Sequence, residues 1–359
     1  MSYAIAAAGT GGHVFPGLAV GEALVAAGVS RQEVLFVGGH RLEATVYPAA
    51  GFPLLSVELA GLERRLTLAN LRIPGVVLRA TRRMAADYQA RGVRTVLGMG
   101  GYVSVPAGLA ARRRGAVLMI HEQNAKAGLA NRFMSRWAAR VFGSFPTTGH
   151  LPRAEWVGNP IRPNLAAFER DRLREAARRK YGLDESARVV GIFGGSLGAG
   201  VLNEVAAAIA SHPGAGGVAL LHLTGPEHLE EVSARAAGSR RVWRPVGFEP
   251  HMDLFFAASD LVIARAGGAV AELTATSTPA ILVPGGFGSA GHQAANAAAL
   301  AGAGAAVVVP PDRVARIPSL VMELLHEPHR LQAMATACAA LARPHAASAI
   351  AAALRAAHG

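Results

Sequence analysis

Short, uninterrupted apolar runs alternate along this chain with longer segments rich in Ala, Leu and Arg. In the first half the runs fall at 3–8, 33–38, 54–58, 94–98, 117–121 and 139–142. In the second they fall at 189–193, 218–223, 241–246, 260–264, 280–284 and 305–309. Nearly all end in glycine or a polar loop and feed a segment of helical length. Strands apolar on both faces, each followed by a helix, predict parallel sheets covered on both sides, an α/β fold. The alternation breaks at Gly158-Asn159-Pro160-Ile161-Arg162-Pro163, which reads as a linker ahead of a charged helix over about 167–181. Each half opens with strand, glycine loop and helix. The pattern therefore predicts two Rossmann-like domains facing across a cleft, 1–160 and 161–343, with a last helix in 344–359 that pattern alone does not dock. Ligands of such sheets sit outside the carboxyl ends of the strands, so the cleft is the expected active site.

Composition sharpens this picture at four points. Hydrophobic residues make up 51% of 359 and charged ones 17%, enough for a large core. No uncharged apolar run reaches the ~18–20 residues of a membrane-spanning helix, and the N-terminus lacks the basic region of a signal peptide. Cys338 is the single cysteine, which fits a reducing, cytosolic setting. Charge is uneven: residues 1–160 hold 18 basic and 8 acidic groups, a net +10, whereas 161–359 hold 18 and 16, a net +2. A basic N-terminal half points to an anionic partner, whether nucleic acid, anionic lipid or a phosphorylated substrate.

The candidate chemistry lies at the ends of the strands. Gly9-Thr10-Gly11-Gly12-His13-Val14-Phe15-Pro16-Gly17 aims backbone N–H groups and a helix dipole at an anion, with His13 as the titratable group at its mouth. A dinucleotide fingerprint would need Gly where Val14 stands and an acid near Gly38-Gly39-His40; no P-loop string occurs either. Gly98-Met99-Gly100-Gly101-Tyr102 is either a second anion nest or a tight turn. His121-Glu122-Gln123-Asn124-Ala125-Lys126 packs polar groups directly after a buried-type strand, where α/β proteins place chemistry; His121 and Glu122 equally suit a core-edge pair that orients the loop. Gly194-Gly195-Ser196-Leu197-Gly198-Ala199-Gly200 opens the second half. Glu272 is placed either to accept from ribose hydroxyls or as a first-turn partner of its helix dipole. His292, Gln293 and Asn296 share a helix face. No DxD string and no metal-ligand spacing occurs, so a leaving diphosphate would be met by helix N-termini and an arginine such as Arg162.

Residues 62–84 interleave Leu, Ile and Val with Arg64, Arg65, Arg72, Arg79, Arg82 and Arg83. That composition suits a membrane-surface element or an amphipathic helix with a solvated basic face. Few aromatics and no recognisable module speak against nucleic acid.

Taken together, GTGGHVFPG (9–17), GMGGYVSVPAG (98–108), HEQNAKAGLANR (121–132), GNPIR (158–162), GGSLGA (194–199), RAGGAVAEL (265–273) and HQAANA (292–297) closely resemble the MurG family of peptidoglycan N-acetylglucosaminyltransferases, of the two-Rossmann-domain GT-B class. The resemblance implies transfer of N-acetylglucosamine from UDP-GlcNAc to the C4 hydroxyl of the muramyl sugar of lipid I, an undecaprenyl-pyrophosphate-linked pentapeptide. The product would be lipid II, made for peptidoglycan and hence cell shape and division. The resemblance also implies inversion, no cofactor and no metal, and a peripheral position on the cytoplasmic face of the bacterial inner membrane. In its terms His13 is the base or its relay. Thr10, Gly11, Gly12, Asn124, Arg162, Ser196, Glu249, Gly267, Gly268, Glu272 and Gln293 would bind UDP-GlcNAc. Gly100, Gly101, Tyr102, His121 and Glu122 would bind the acceptor, and 62–84 would touch the anionic membrane surface.

Four positions depart from the family pattern. Leu197 replaces a frequent Gln, Gly291 an acid, and Glu249 an apolar residue whose backbone holds the uracil; the 265–272 string is one residue short. Two other functions remain open: a GT-B glycolipid synthase with another acceptor, and a non-catalytic basic nucleotide-sugar binder.

Overall fold

The structure, a computed structural model, describes residues 2–58, 73–195, 198–285 and 291–357. The chain divides into two units, Met1–Arg162 with Pro344–Gly359, and Pro163–Arg343. The first unit runs β1 (Ser2–Ala6), α1 (Gly11–Ala26), β2 (Val34–Gly38), α2 (Leu42–Ala49), β3 (Leu54–Ser56), α3 (Ile73–Arg91), β4 (Val93–Gly98), α4 (Ser104–Arg114), β5 (Val117–Glu122), α5 (Leu129–Met134), β6 (Arg140–Gly143) and β7 (Glu155–Trp156). Its sheet has the order β3-β2-β1-β4-β5-β6-β7, all parallel.

Alternate strand residues enter opposite cores, as the period of two requires. Leu35, Val37 and Val96 pack with Met84 and Tyr88 of α3 on one face. Ile5, Phe36 and Leu97 pack with Val20 and Leu24 of α1 on the other. The second core is completed by Ile350, Ala351 and Leu354 of the final helix in the chain. That helix, left undocked by its sequence pattern, covers α1 and belongs to the first unit.

The second unit comprises α6 (Pro163–Ala166), α7 (Arg170–Tyr181), β8 (Arg188–Phe193), α8 (Gly200–Ser211), β9 (Val218–Leu223), α9 (Leu229–Ala237), β10 (Trp243–Val246), α10 (Met252–Ala258), β11 (Leu261–Ala264), α11 (Ala269–Ala275), β12 (Ala280–Leu282), α12 (His292–Gly302), β13 (Ala306–Val308), α13 (Ile317–His326) and α14 (Pro328–Leu341). α15 (Ala346–Ala356) is the helix that returns to the first unit. The sheet order β10-β9-β8-β11-β12-β13 is the doubly wound order with its switch point between β8 and β11. The charged helix is anchored by arginine. Arg174 and Arg178 of α7 meet the two carboxylate oxygens of Asp260 at 2.6 and 3.0 Å. Arg170 donates to the carbonyls of Phe256, Ser259 and Thr276.

Candidate active site

In the first unit the chain leaves β1 toward β2 on one side and β4 toward β5 on the other, so the loops after β1 and β4 border the switch point. Gly9 turns at φ 99°. Thr10 is extended (φ −125°, ψ 158°) and opens α1, which places His13 in the first helical turn. The Thr10 hydroxyl lies 3.2 Å from His13 Nδ1. Across from it, Gly100 and Gly101 are both left-handed, at φ 84° and 75°. A β-carbon at Gly100 would stand 3.4 Å from His13 Nε2 and 3.3 Å from Asn131 Nδ2, so a side chain there would crowd the imidazole edge. Ser104 secures this turn by donating to the Gly100 carbonyl at 2.6 Å. Arg162 stacks its guanidinium 5.3 Å from the Phe15 ring, two residues beyond His13.

The polar cluster after β5 is turned inward. His121 is fully buried; its Nε2–H donates to Gly158 O at 2.9 Å, and Nδ1 accepts from Gln123 Nε2 at 3.1 Å. Burial pulls its pKa down to about 4, against smaller upward pushes from the Gly158 carbonyl and Glu122. Glu122, also buried, accepts from the backbone and side chain of Asn124 and from Gly128 N and Asn131 Nδ2. Both side chains expected at the acceptor are thus committed within the unit, which is the loop-orienting alternative. What they orient is Asn124, half-buried at the loop crest, and Asn131. Asn131 gives both amide hydrogens to His121 O and Glu122, leaving a buried Oδ1 without a partner beside the Gly100 turn.

One further group was not legible in the sequence: Glu43. No acid stands at Gly38-Gly39-His40, but Glu43 on α2 reaches back to that strand end, accepting from Gly9 N at 3.1 Å and Gly39 N at 2.9 Å. Tyr102 hydrogen-bonds the same carboxylate, and burial and that charge raise its phenol pKa.

In the second unit Gly194, Gly195 and Gly198 shape the loop from β8 into α8; Ser196 and Leu197 lie outside the described residues. A β-carbon at Gly198 would fall 2.0 Å from Thr224 O, at φ 76°, so no other residue fits there. The loop after β11 carries Arg265 to Gly268, with Gly267 facing open space and Gly268 capping α11. Glu272 is half-buried in the first turn of α11. Gln293 accepts from Gly285 N at 2.7 Å and Asn296 donates to Ala266 O at 3.0 Å, so α12 pins the loops after β12 and β11. Glu249 is buried: its carboxylate takes Lys180 and Tyr181, each at 2.7 Å, and His251 N at 2.8 Å. Only its backbone remains for a ligand. Among the described residues no group of three or more His, Cys, Asp and Glu is arranged to hold a metal ion.

Family profiles match the chain at both ends. Residues 3–143 match the glycosyltransferase family 28 N-terminal domain and 189–350 its C-terminal domain. A UDP-N-acetylglucosamine–N-acetylmuramyl-(pentapeptide) pyrophosphoryl-undecaprenol N-acetylglucosamine transferase of Mycolicibacterium paratuberculosis is 40% identical over 362 residues, spanning 98% of this chain and 87% of that protein. A protein of the same name from Clavibacter sepedonicus is 39% identical, spanning 94% and 92%. The crystal structure of Acinetobacter baumannii MurG superposes with a TM-score of 0.78 at 29% identity over 99% of both chains.

Proposed function

The chain belongs to glycosyltransferase family 28, and from that premise we propose that it transfers N-acetylglucosamine from UDP-GlcNAc to the muramyl C4 hydroxyl of lipid I, making lipid II with inversion. The observation that carries this reading is the Thr10–His13–Gly100 arrangement. With Nδ1–H donating to the Thr10 hydroxyl, His13 presents the Nε2 lone pair on the side of the Gly100 turn. Nε2 takes the C4 hydroxyl proton as the C4 oxygen bonds to the anomeric carbon, and the bond from that carbon to the diphosphate oxygen breaks on the opposite face. The departing UDP carries the electron pair. Its charge is met by N–H groups of the loop into α8, with Ser196, and by Arg162. Glu272 holds the ribose, Gln293, Gly267 and Gly268 frame the sugar nucleotide, and the Glu249 backbone meets the uracil. Gly100, Gly101 and Tyr102 receive the acceptor, and Thr10, Gly11, Gly12 and Asn124 the edge of the donor sugar.

For the membrane we propose the basic face that continues 62–84. Residues 62–72 lie outside the described residues, while α3 exposes Leu78, Arg79, Arg82 and Arg83 and buries Ala80, Met84 and Tyr88. α3 packs on α4, beside a cavity of about 710 Å³ lined by Arg112, Phe133, Arg136 and Trp137. Arginines alternating with exposed apolar groups suit an anionic bilayer surface on the cytoplasmic side.

Incubating the protein with UDP-GlcNAc and a short-chain lipid I analogue should release UDP. Release only with a non-muramyl acceptor overturns the acceptor assignment. Flotation with anionic liposomes should fall as salt rises, and fall further when Arg64, Arg65, Arg82 and Arg83 become Ser.

A further inference from the structure

The Glu43 carboxylate lies beneath the loops after β1 and β2, at the carboxyl ends of the strands, the side of the sheet where Rossmann domains bind their ligands. It is wholly buried, and backbone N–H groups converge on it from the loop after β1 (Gly9), the loop after β2 (Gly39 and Arg41) and the first turn of α2 (Glu43 itself). The Tyr102 phenol closes the nest from the loop after β4. The fit is tight. A β-carbon at Gly38 would lie 2.8 Å from Glu43 Cγ, and one at Gly39 would lie 2.9 Å from Oε1 and 2.5 Å from the Tyr102 oxygen. Burial pushes this carboxyl up, but the four N–H groups more than reverse it and hold the group below its ordinary range, ionised at neutral pH.

We propose, resting on the transferase reading above, that Glu43 is a positioning residue: an internal anion that fills the glycine nest in place of a ligand phosphate and so holds Thr10, His13 and Tyr102 in register. Three consequences follow from that geometry. Gly9 N–H is spent on Glu43 and His13 N–H on Thr10 O, so an incoming pyrophosphate is left the N–H groups of Gly11 and Gly12 at the start of α1. The imidazole depends on Thr10, and Thr10 is the neighbour of the residue that Glu43 pins. A fixed negative charge beneath the loop also repels a second anion at that depth, which keeps a nucleotide diphosphate out of this unit.

The test is to empty the nest and refill it. Glu43→Ala should lower kcat by about tenfold to a hundredfold, the cost of a small misplacement of a base. KM for UDP-GlcNAc should stay within about twofold, because the variant leaves the donor's own contacts in place. Formate, the side chain's own carboxylate without its tether, should restore much of the lost rate, and chloride at matched ionic strength should not. Equal effects of formate and chloride, or a wild-type kcat in Glu43→Ala, overturn the proposal. Should Glu43→Ala not fold, Glu43→Gln keeps the volume and must still lower kcat; a wild-type kcat there is equally fatal. A readout without turnover is the Tyr102 phenol, followed by NMR of ring-labelled tyrosine and assigned with Tyr102→Phe. It should ionise at lower pH in Glu43→Gln than in the parent protein, and an unchanged titration removes the Glu43–Tyr102 link. If the parent protein releases no UDP with any muramyl acceptor, the transferase reading fails while the phenol titration still reports on the nest.

Discussion

Among the described residues each unit carries one fully buried histidine, held neutral by its partners, and acid should therefore destabilise both units. His121 donates through Nε2 to Gly158 O and accepts through Nδ1 from Gln123. His222 repeats the scheme in the second unit, with Nε2–H donating to Asn203 Oδ1 at 3.0 Å and Nδ1 accepting from Trp243 Nε1 at 3.4 Å. Adding a proton at Nδ1 turns each accepted bond into two opposed donors, in surroundings that also penalise the charge. Burial pulls both imidazoles from 6.5 to about 4. The unfolded chain binds these protons below its own pKa of 6.5 and the folded chain does not until about 4. Stability from each site is therefore complete above 6.5 and is lost as pH falls toward 4, by roughly 3 kcal/mol per site. The slope is about 1.4 kcal/mol per pH unit for each histidine. Urea unfolding across that interval, followed by tryptophan fluorescence, measures it; Trp243 stacks on His222 and reports the second unit. His222→Gln retains one donor and one acceptor but cannot titrate, so the slope for the second unit should fall by about 1.4 kcal/mol per pH unit. Identical slopes in parent and variant would refute the argument.

Other outcomes can be checked alongside. His13→Ala should lower UDP release by about a hundredfold or more while leaving urea unfolding in place. Asp260→Ala strands Arg178, whose side chain is 2% exposed, and should cost about 3 kcal/mol or more in urea titrations at neutral pH. Gly198→Ala drives a methyl into Thr224 O, and calorimetry should show loss of UDP-GlcNAc binding by the second unit.

The sheets were legible because the central strands, β1, β2, β8, β9 and β11 among them, are buried on both faces, which writes each as a nearly unbroken apolar run. β8, β9 and β11 begin and end within a residue or two of where the runs do. β7 escaped because two residues, Glu155 and Trp156, leave no such run. The glycine loops were legible through φ: Gly9, Gly100, Gly195 and Gly198 take left-handed angles that other residues resist. What did not show in the sequence is how buried polar groups pair. Glu43 and Gly9 are 34 positions apart, and Glu249 meets Lys180 over 69; no local spacing announces such contacts. The same limit applies to His121 and Glu122, whose polarity marked the right loop while their orientation, inward, was decided by partners at Gly158 and Asn131.

The return of α15 to the first unit bears on how the protein is made. Ile350, Ala351 and Leu354 seal the face of α1, yet they leave the ribosome only after the whole of Pro163–Arg343. The second unit can mature as an uninterrupted stretch, whereas the first must wait with an apolar helix face exposed. A nascent chain stalled before residue 344 would thus pair a finished second unit with an unsealed partner, the species a holding chaperone recognises.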